Sequence, residues 1–165
     1  MAMLQDEWKI IYETYAKVLY LYALSLTGNK QDAEDLLQET FVKAFLSYEP
    51  TGSIKSWLII VLRNEFYNMM RKRKREVLEG DQVVMDQVKA VDSDVLDRII
   101  GDDDRRHLYL AIRTLPLAMR EVFMESIYFH MKDEEIAKIH NLSKENVRQI
   151  RSRAKKKLIT ILKED

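Results

Sequence analysis

Cysteine is absent from the 165-residue sequence, which excludes disulfides, thiolate zinc sites and cysteine nucleophiles. Glycine and proline are scarce, at 4 and 2 residues, so turns are few and long helices are predicted. No apolar run approaches the roughly 18 residues that a membrane span needs. The N-terminus carries Asp6 and Glu7 and lacks the basic-then-apolar pattern of a signal segment. No glycine-rich phosphate loop or nucleophile elbow occurs. His107, His130 and His140 share no metal-ligand spacing and read as ordinary helix residues. Asp102–Asp104 lies in no calcium-loop pattern and reads as tether or helix start. These absences leave no argument for an enzyme, a cofactor or a metal. A content of 47% hydrophobic and 33% charged residues is too apolar for a disordered chain and too charged for a membrane protein. A soluble, cytoplasmic protein is expected.

Net charge is zero, yet charge is distributed in blocks. Residues 1–75 carry 11 basic and 9 acidic side chains, residues 76–104 carry 2 and 10, and residues 105–165 carry 14 and 8. An acidic middle between two basic-leaning ends predicts two small helical domains, 1–75 and 105–165, joined by an acidic flexible linker, 76–104. The basic ends suit a polyanion such as nucleic acid, and the acidic middle suits competition for the same surface in the free protein. The linker's apolar residues allow at most a short helix around Asp94–Ile100, too small a core to offset its ordering entropy.

In the first segment, Trp8, Ile11, Tyr12, Tyr15, Val18, Leu19, Tyr22, Ala23 and Leu26 recur at spacings of three and four, which predicts a one-faced helix ended by Gly28-Asn29. A second helix places Ala33, Leu36, Leu37, Phe41, Ala44 and Phe45 inward, with Asp32, Glu34 and Asp35 at its positive end. Tyr48–Ser53 reads as a loop, and Ser53 caps a third helix with Ile54, Trp57, Leu58, Val61, Leu62 and Phe66 inward. That helix runs out into Arg71–Arg75, five consecutive basic residues where dipole compensation alone needs fewer. Trp57 reads as core, whereas Tyr48 in the loop has a ring suited to stacking on an unpaired base.

The strongest signal lies near the C-terminus. Pro116 marks a helix start, and Val122, Phe123 and Ile127 follow at helical spacing. Asp133–His140 forms a short helix, Asn141 tolerates a left-handed turn, and Ser143 caps the next helix. Ala137 is small where two helices approach, and Val147 and Ile150 are apolar where the second must rest on the first. This is the logic of a helix-turn-helix. On a helical wheel Val147, Ile150, Ala154, Leu158 and Ile161 share one side, while Glu145, Arg148, Gln149, Ser152 and Lys156 lie opposite, flanked by Arg151 and Arg153. Arginine pairs with guanine and glutamine with adenine, and the remaining cations neutralise phosphates.

The order of parts resembles the extracytoplasmic-function (ECF) sigma factors, over nearly the whole chain. The resemblance rests on Asp32 through Phe45, on Ser56-Trp57-Leu58 and Arg63-Asn64, and on Leu115-Pro116 and Arg120 to Phe123. It continues through Glu134-Glu135-Ile136-Ala137, Asn146-Val147-Arg148 and Arg153 to Leu158. It implies an all-α protein with a sigma region two-like and a sigma region four-like domain. In the first, Asp35, Gln38, Glu39 and Phe41 would dock on core bacterial RNA polymerase, with Phe41 partly structural. Tyr48 and Asn64 would hold an extruded base of the -10 non-template strand, and Arg71, Lys72 and Arg73 would contact DNA. In the second, Arg148, Gln149, Ser152 and Arg153 would read the -35 duplex. An anti-sigma factor is a further implied partner. Where the family commonly has serine at the start of the first helix of its helix-turn-helix, this chain has Lys132, so Asp133 is expected to cap one residue later. Two other readings stand beside this one. One is a conventional helix-turn-helix regulator that binds duplex DNA without acting as a sigma subunit. The other is a helical adaptor with no DNA role.

Overall fold

The computed structural model describes residues 5–48, 52–79 and 103–164. Among the described residues all regular structure is helical. The chain divides into two compact units, Met1–Asp92 and Ser93–Asp165.

The first unit holds α1 (Gln5–Thr27), α2 (Lys30–Ser47) and α3 (Ile54–Leu78). Helix α1 ends where the Gly28 N–H bonds the Leu24 carbonyl at 2.8 Å and Gly28 adopts φ 66°, a conformation that a side chain would strain. Asn29 then caps α2, its Oδ1 accepting the Asp32 N–H at 3.1 Å. Two residues between helices force antiparallel neighbours. The ring contacts follow that register, Trp8 with Phe45 at 5.6 Å and Tyr12 with Phe41 at 4.8 Å. Helix α3 packs on both α1 and α2.

This three-way packing buries α1 more widely than a one-faced helix predicts. Leu21 through Leu26 are all buried, Ser25 among them with its hydroxyl donating to the Tyr22 carbonyl at 2.6 Å. The opposite correction applies at the N-terminal end of α1. Tyr12 and Phe45, expected inward, are half exposed; each packs edge-on or tilted against one ring and keeps its other side open.

The second unit holds α4 (Asp103–Arg113), α5 (Leu117–Ile127), α6 (Asp133–His140) and α7 (Lys144–Lys163). Asp103 and Asp104 open α4, where the helix dipole favours them. Pro116 sits at the N-cap of α5 and accepts the Arg120 N–H at 3.0 Å. Tyr109, Ile112, Leu115, Val122, Met124, Ile136, Val147 and Ala154 form the core. Half-buried Arg120 donates to the Leu115 carbonyl at 2.8 Å. Burial, reinforced by the neighbouring Arg113 charge, pulls its guanidinium down to about 10.

His130 is not a helix residue; it occupies an exposed turn after α5 with φ 54°. His140, at the end of α6, points inward, with Nε2 2.9 Å from the buried Glu125 carboxylate and Nδ1 3.7 Å from Glu121. No described helix is long and apolar enough to cross a membrane. The short helix expected at Asp94–Ile100 lies outside the described residues.

Candidate nucleic-acid interface

Helices α6 and α7 meet through a turn built as the sequence predicts. Asn141 takes the left-handed conformation, φ 53° and ψ 48°, and the Leu142 N–H returns to the Ala137 carbonyl at 2.9 Å. Ser143 Oγ accepts the Asn146 N–H at 3.1 Å and so caps α7. Ala137 and Val147 are buried, which fixes how closely the two helices approach.

With Val147, Ala154 and Leu158 held inward, the other face of α7 is open. Arg148, Gln149, Ser152 and Arg153 are all exposed, and together with Glu145 and Lys156 they line one shallow surface depression. The four residues expected to face DNA in this unit are thus brought together.

Asp133 does not cap α6. Lys132 is the N-cap, its N–H reaching Glu135 Oε2 at 3.4 Å, and Asp133 is the first helical residue. The Asp133 carboxylate turns to α7 instead. Arg151 donates to both its oxygens, the Nη2–Oδ2 bond measuring 3.2 Å. Arg148 Nε reaches Oδ2 at 3.4 Å. The Arg151 hydrogen bond holds the Asp133 carboxyl below the usual aspartate range, with both guanidinium charges adding to it. A second bridge, Lys144 to Glu134 at 2.7 Å, spans the same two helices. Spacing alone did not reveal the Asp133 role, because residues 15 and 18 positions apart become neighbours only once the turn is formed.

In the first unit the expected residues are less tightly grouped. Tyr48 caps the C-terminus of α2, and its hydroxyl donates to the Gly52 carbonyl at 2.9 Å. Its ring lies 6.2 Å from both Trp8 and Trp57. Tyr48 is therefore a packed, half-buried ring rather than a free one. It lines a small pocket with Ser47, Gly52, Ser53, Ser56, Trp57 and Ile60. Trp57, expected as core, is a half-buried wall of this pocket, with no acceptor within reach of Nε1 among the described residues. Asn64 is exposed one turn beyond Ile60 on α3 and is not a pocket wall.

Arg71 and Lys72 are exposed, and Arg71 bonds Asn68 on its own helix. Arg73 behaves differently: it turns back across the unit to the buried Asp32, Nη2 to Oδ1 at 2.6 Å. On α2, Asp35, Gln38 and Glu39 are exposed, and Gln31 donates to Asp35 at 3.1 Å. Phe41 is half-buried against Tyr12. Among the described residues no set of His, Asp or Glu is arranged to hold a metal ion.

Comparison with known families accounts for both units. Residues 11–76 match the Sigma-70 region 2 family and residues 105–158 match Sigma-70, region 4. The chain belongs to the ECF sigma factor family. It is 31% identical over 157 residues to the ECF RNA polymerase sigma factor SigM of Bacillus subtilis, covering 90% of each chain. It is 26% identical over 165 residues to SigX of the same organism, covering 94% of this chain and 83% of the other.

The sigma factor RpoE of Bartonella quintana, solved with the anti-sigma factor NepR, superposes with a TM-score of 0.78 at 31% identity, covering 97% and 99% of the two chains. CnrH, solved with the cytosolic domain of CnrY, shares the fold, with a TM-score of 0.70 at 19% identity, covering 98% and 91%. The regulator reading is not favoured, because it assigns residues 11–76 no sigma role.

Proposed function

We propose that this sigma factor binds core bacterial RNA polymerase and directs it to promoters by reading two DNA elements with its two domains. The observation that carries the reading is the pairing, on one chain and in order, of a region 2 match with a region 4 match whose helix-turn-helix exposes Arg148, Gln149, Ser152 and Arg153 side by side. Residues 105–165 read the -35 duplex through that face. Residues 1–75 dock on polymerase through Asp35, Gln38 and Glu39, with Phe41 supporting the helix from beneath. The Tyr48 pocket, with Asn64 at its approach, holds an extruded base of the -10 non-template strand. Flipping a base costs a few kcal/mol, so capturing it favours strand opening. Arg71 and Lys72 steer and hold the phosphate backbone; Arg73 serves the fold first. The acidic stretch of sequence between α3 and α4 competes with nucleic acid for polymerase, as its charge suits it to do. The protein works in the cytoplasm without catalysis of its own. An anti-sigma factor is its natural antagonist, since RpoE of Bartonella quintana was solved with one.

Run-off transcription with purified core polymerase on DNA from the source genome tests the proposal. Discrete new starts that depend on the protein are expected. Arg148→Ala or Arg153→Ala should weaken -35 recognition by about 1–3 kcal/mol for a base-edge contact. Wild-type promoter use by both variants, or duplex binding without any new start, would refute the assignment.

A further inference from the structure

We propose that Asp133 is a positioning residue for DNA readout: it holds Arg148 by Nε and so sets the guanidinium end to read a guanine in the -35 duplex. The inference rests on the reading of α7 given above and goes beyond it by naming how one arginine is aimed and which base it selects.

The geometry has three parts. Asp133 is anchored first by Arg151, which donates to both carboxylate oxygens. That chelate already neutralises the carboxylate, and Asp133 sits at the positive end of α6, where the dipole stabilises it further. The additional bond from Arg148 Nε at 3.4 Å adds less to Asp133 than the Arg151 chelate does. What it does is restrain Arg148, a long side chain 53% exposed that would otherwise sample many rotamers.

A guanidinium engaged at Nε keeps its Nη1 and Nη2 donors as a parallel pair directed away from the anchor. Two parallel donors match the O6 and N7 acceptors of guanine; adenine places a donor beside N7 and thymine a single acceptor beside a methyl group. Glu145 lies 3.9 Å from Arg148 Nη1 and is itself highly exposed. This loose contact yields readily to a base edge, because exposed ion pairs contribute little. The parallel bridge from Glu134 to Lys144 fixes the same two helices and touches none of these atoms, which makes it the natural structural control.

The test uses holoenzyme assembled from core polymerase and the full chain, competing for promoter fragments in which each -35 base pair is substituted in turn. Arg148→Ala should lose discrimination at one G·C pair, by about 5- to 160-fold for a bidentate contact. Asp133→Asn should lose discrimination at that same pair and at no other, and the double variant should be no worse than Arg148→Ala. Asp133→Glu, which keeps the charge on a longer stem, should recover part of the loss. Glu134→Gln should leave every ratio unchanged. Circular-dichroism melting of each variant separates loss of fold from loss of aim. The proposal is overturned if Asp133→Asn, or Asp133→Ala where the Asn variant does not fold, keeps wild-type discrimination where Arg148→Ala has lost it. Uniform weakening on all fragments overturns it too. If Arg148→Ala changes discrimination nowhere, the reading of α7 fails along with it.

Discussion

Replacing Arg73 with alanine separates two roles that the basic run Arg71–Arg75 superimposes. The Arg73 guanidinium lies 2.6 Å from the Asp32 carboxylate, with side-chain exposures of 39% and 11%. Removing one partner of a fully buried pair costs about 3–5 kcal/mol, because the other charge is left unsolvated. A fully exposed pair contributes only about 0.2–1 kcal/mol. Asp32 is nearly buried and Arg73 is not, so a loss of about 2 kcal/mol is expected between these limits.

The assay follows from composition. Both tryptophans, Trp8 and Trp57, lie in the first unit, so tryptophan fluorescence in urea reports on that unit alone. With a slope of about 2 kcal/mol per molar, the midpoint should fall by about 1 M. Asp32→Asn should be destabilising as well, and the double variant should cost less than the sum of the two single changes, as for any coupled pair. Lys72→Ala, by contrast, should leave the midpoint in place and lower the salt slope of promoter binding by about one. An Arg73→Ala protein with a wild-type midpoint and a reduced salt slope would refute the structural role of this arginine.

Three further outcomes follow from the second unit. Ala137→Leu should destabilise by about 1–3 kcal/mol through overpacking at the α6–α7 approach and abolish -35-dependent run-off product; a variant with unchanged melting and transcription would contradict the packing. His130→Gly should raise stability by up to about 1 kcal/mol by releasing a side chain from φ 54°, and a lower melting temperature would count against that. The depressed Asp133 carboxyl contributes stability that is complete above the ordinary aspartate value of about 3.9 and is lost as pH falls through its lower folded value. Melting curves of wild type and Asp133→Asn should therefore converge with acidification, and a constant gap down to the lowest pH would disprove the linkage.

The helix-turn-helix shows how far local chemistry reaches. Its first helix, the Asn141 turn and the Ser143 cap rest on interactions within a few residues, and the structure places each where the sequence predicts it. The apolar and polar sides of α7 follow from helical periodicity, so the grouping of Arg148, Gln149, Ser152 and Arg153 was also legible. Asn29 was read only as part of a break, although Asn just before a helical stretch is itself a capping signal, since its side chain can accept a backbone N–H of the first turn.

What periodicity could not supply is the partner on the far side of each contact. Tyr12 and Phe45 satisfy the apolar spacing yet stay half exposed, because among the described residues each is covered by a single ring contact, with Phe41 and Trp8 respectively. Tyr48 reads as a free loop ring, but it is held by Trp8, Trp57 and Gly52 from three separate segments. Arg73 and Asp133 look like members of a basic run and a helix cap; 41 residues separate Arg73 from Asp32, and 15 and 18 separate Asp133 from its arginines. Local sequence determined the helices, the Ser53 and Ser143 caps and the open polar face of α7. Tertiary packing decided which charged and aromatic side chains were tied up within the fold and which stayed open, because an ion pair or ring contact between distant segments exists only after the backbone has brought them within a few ångströms.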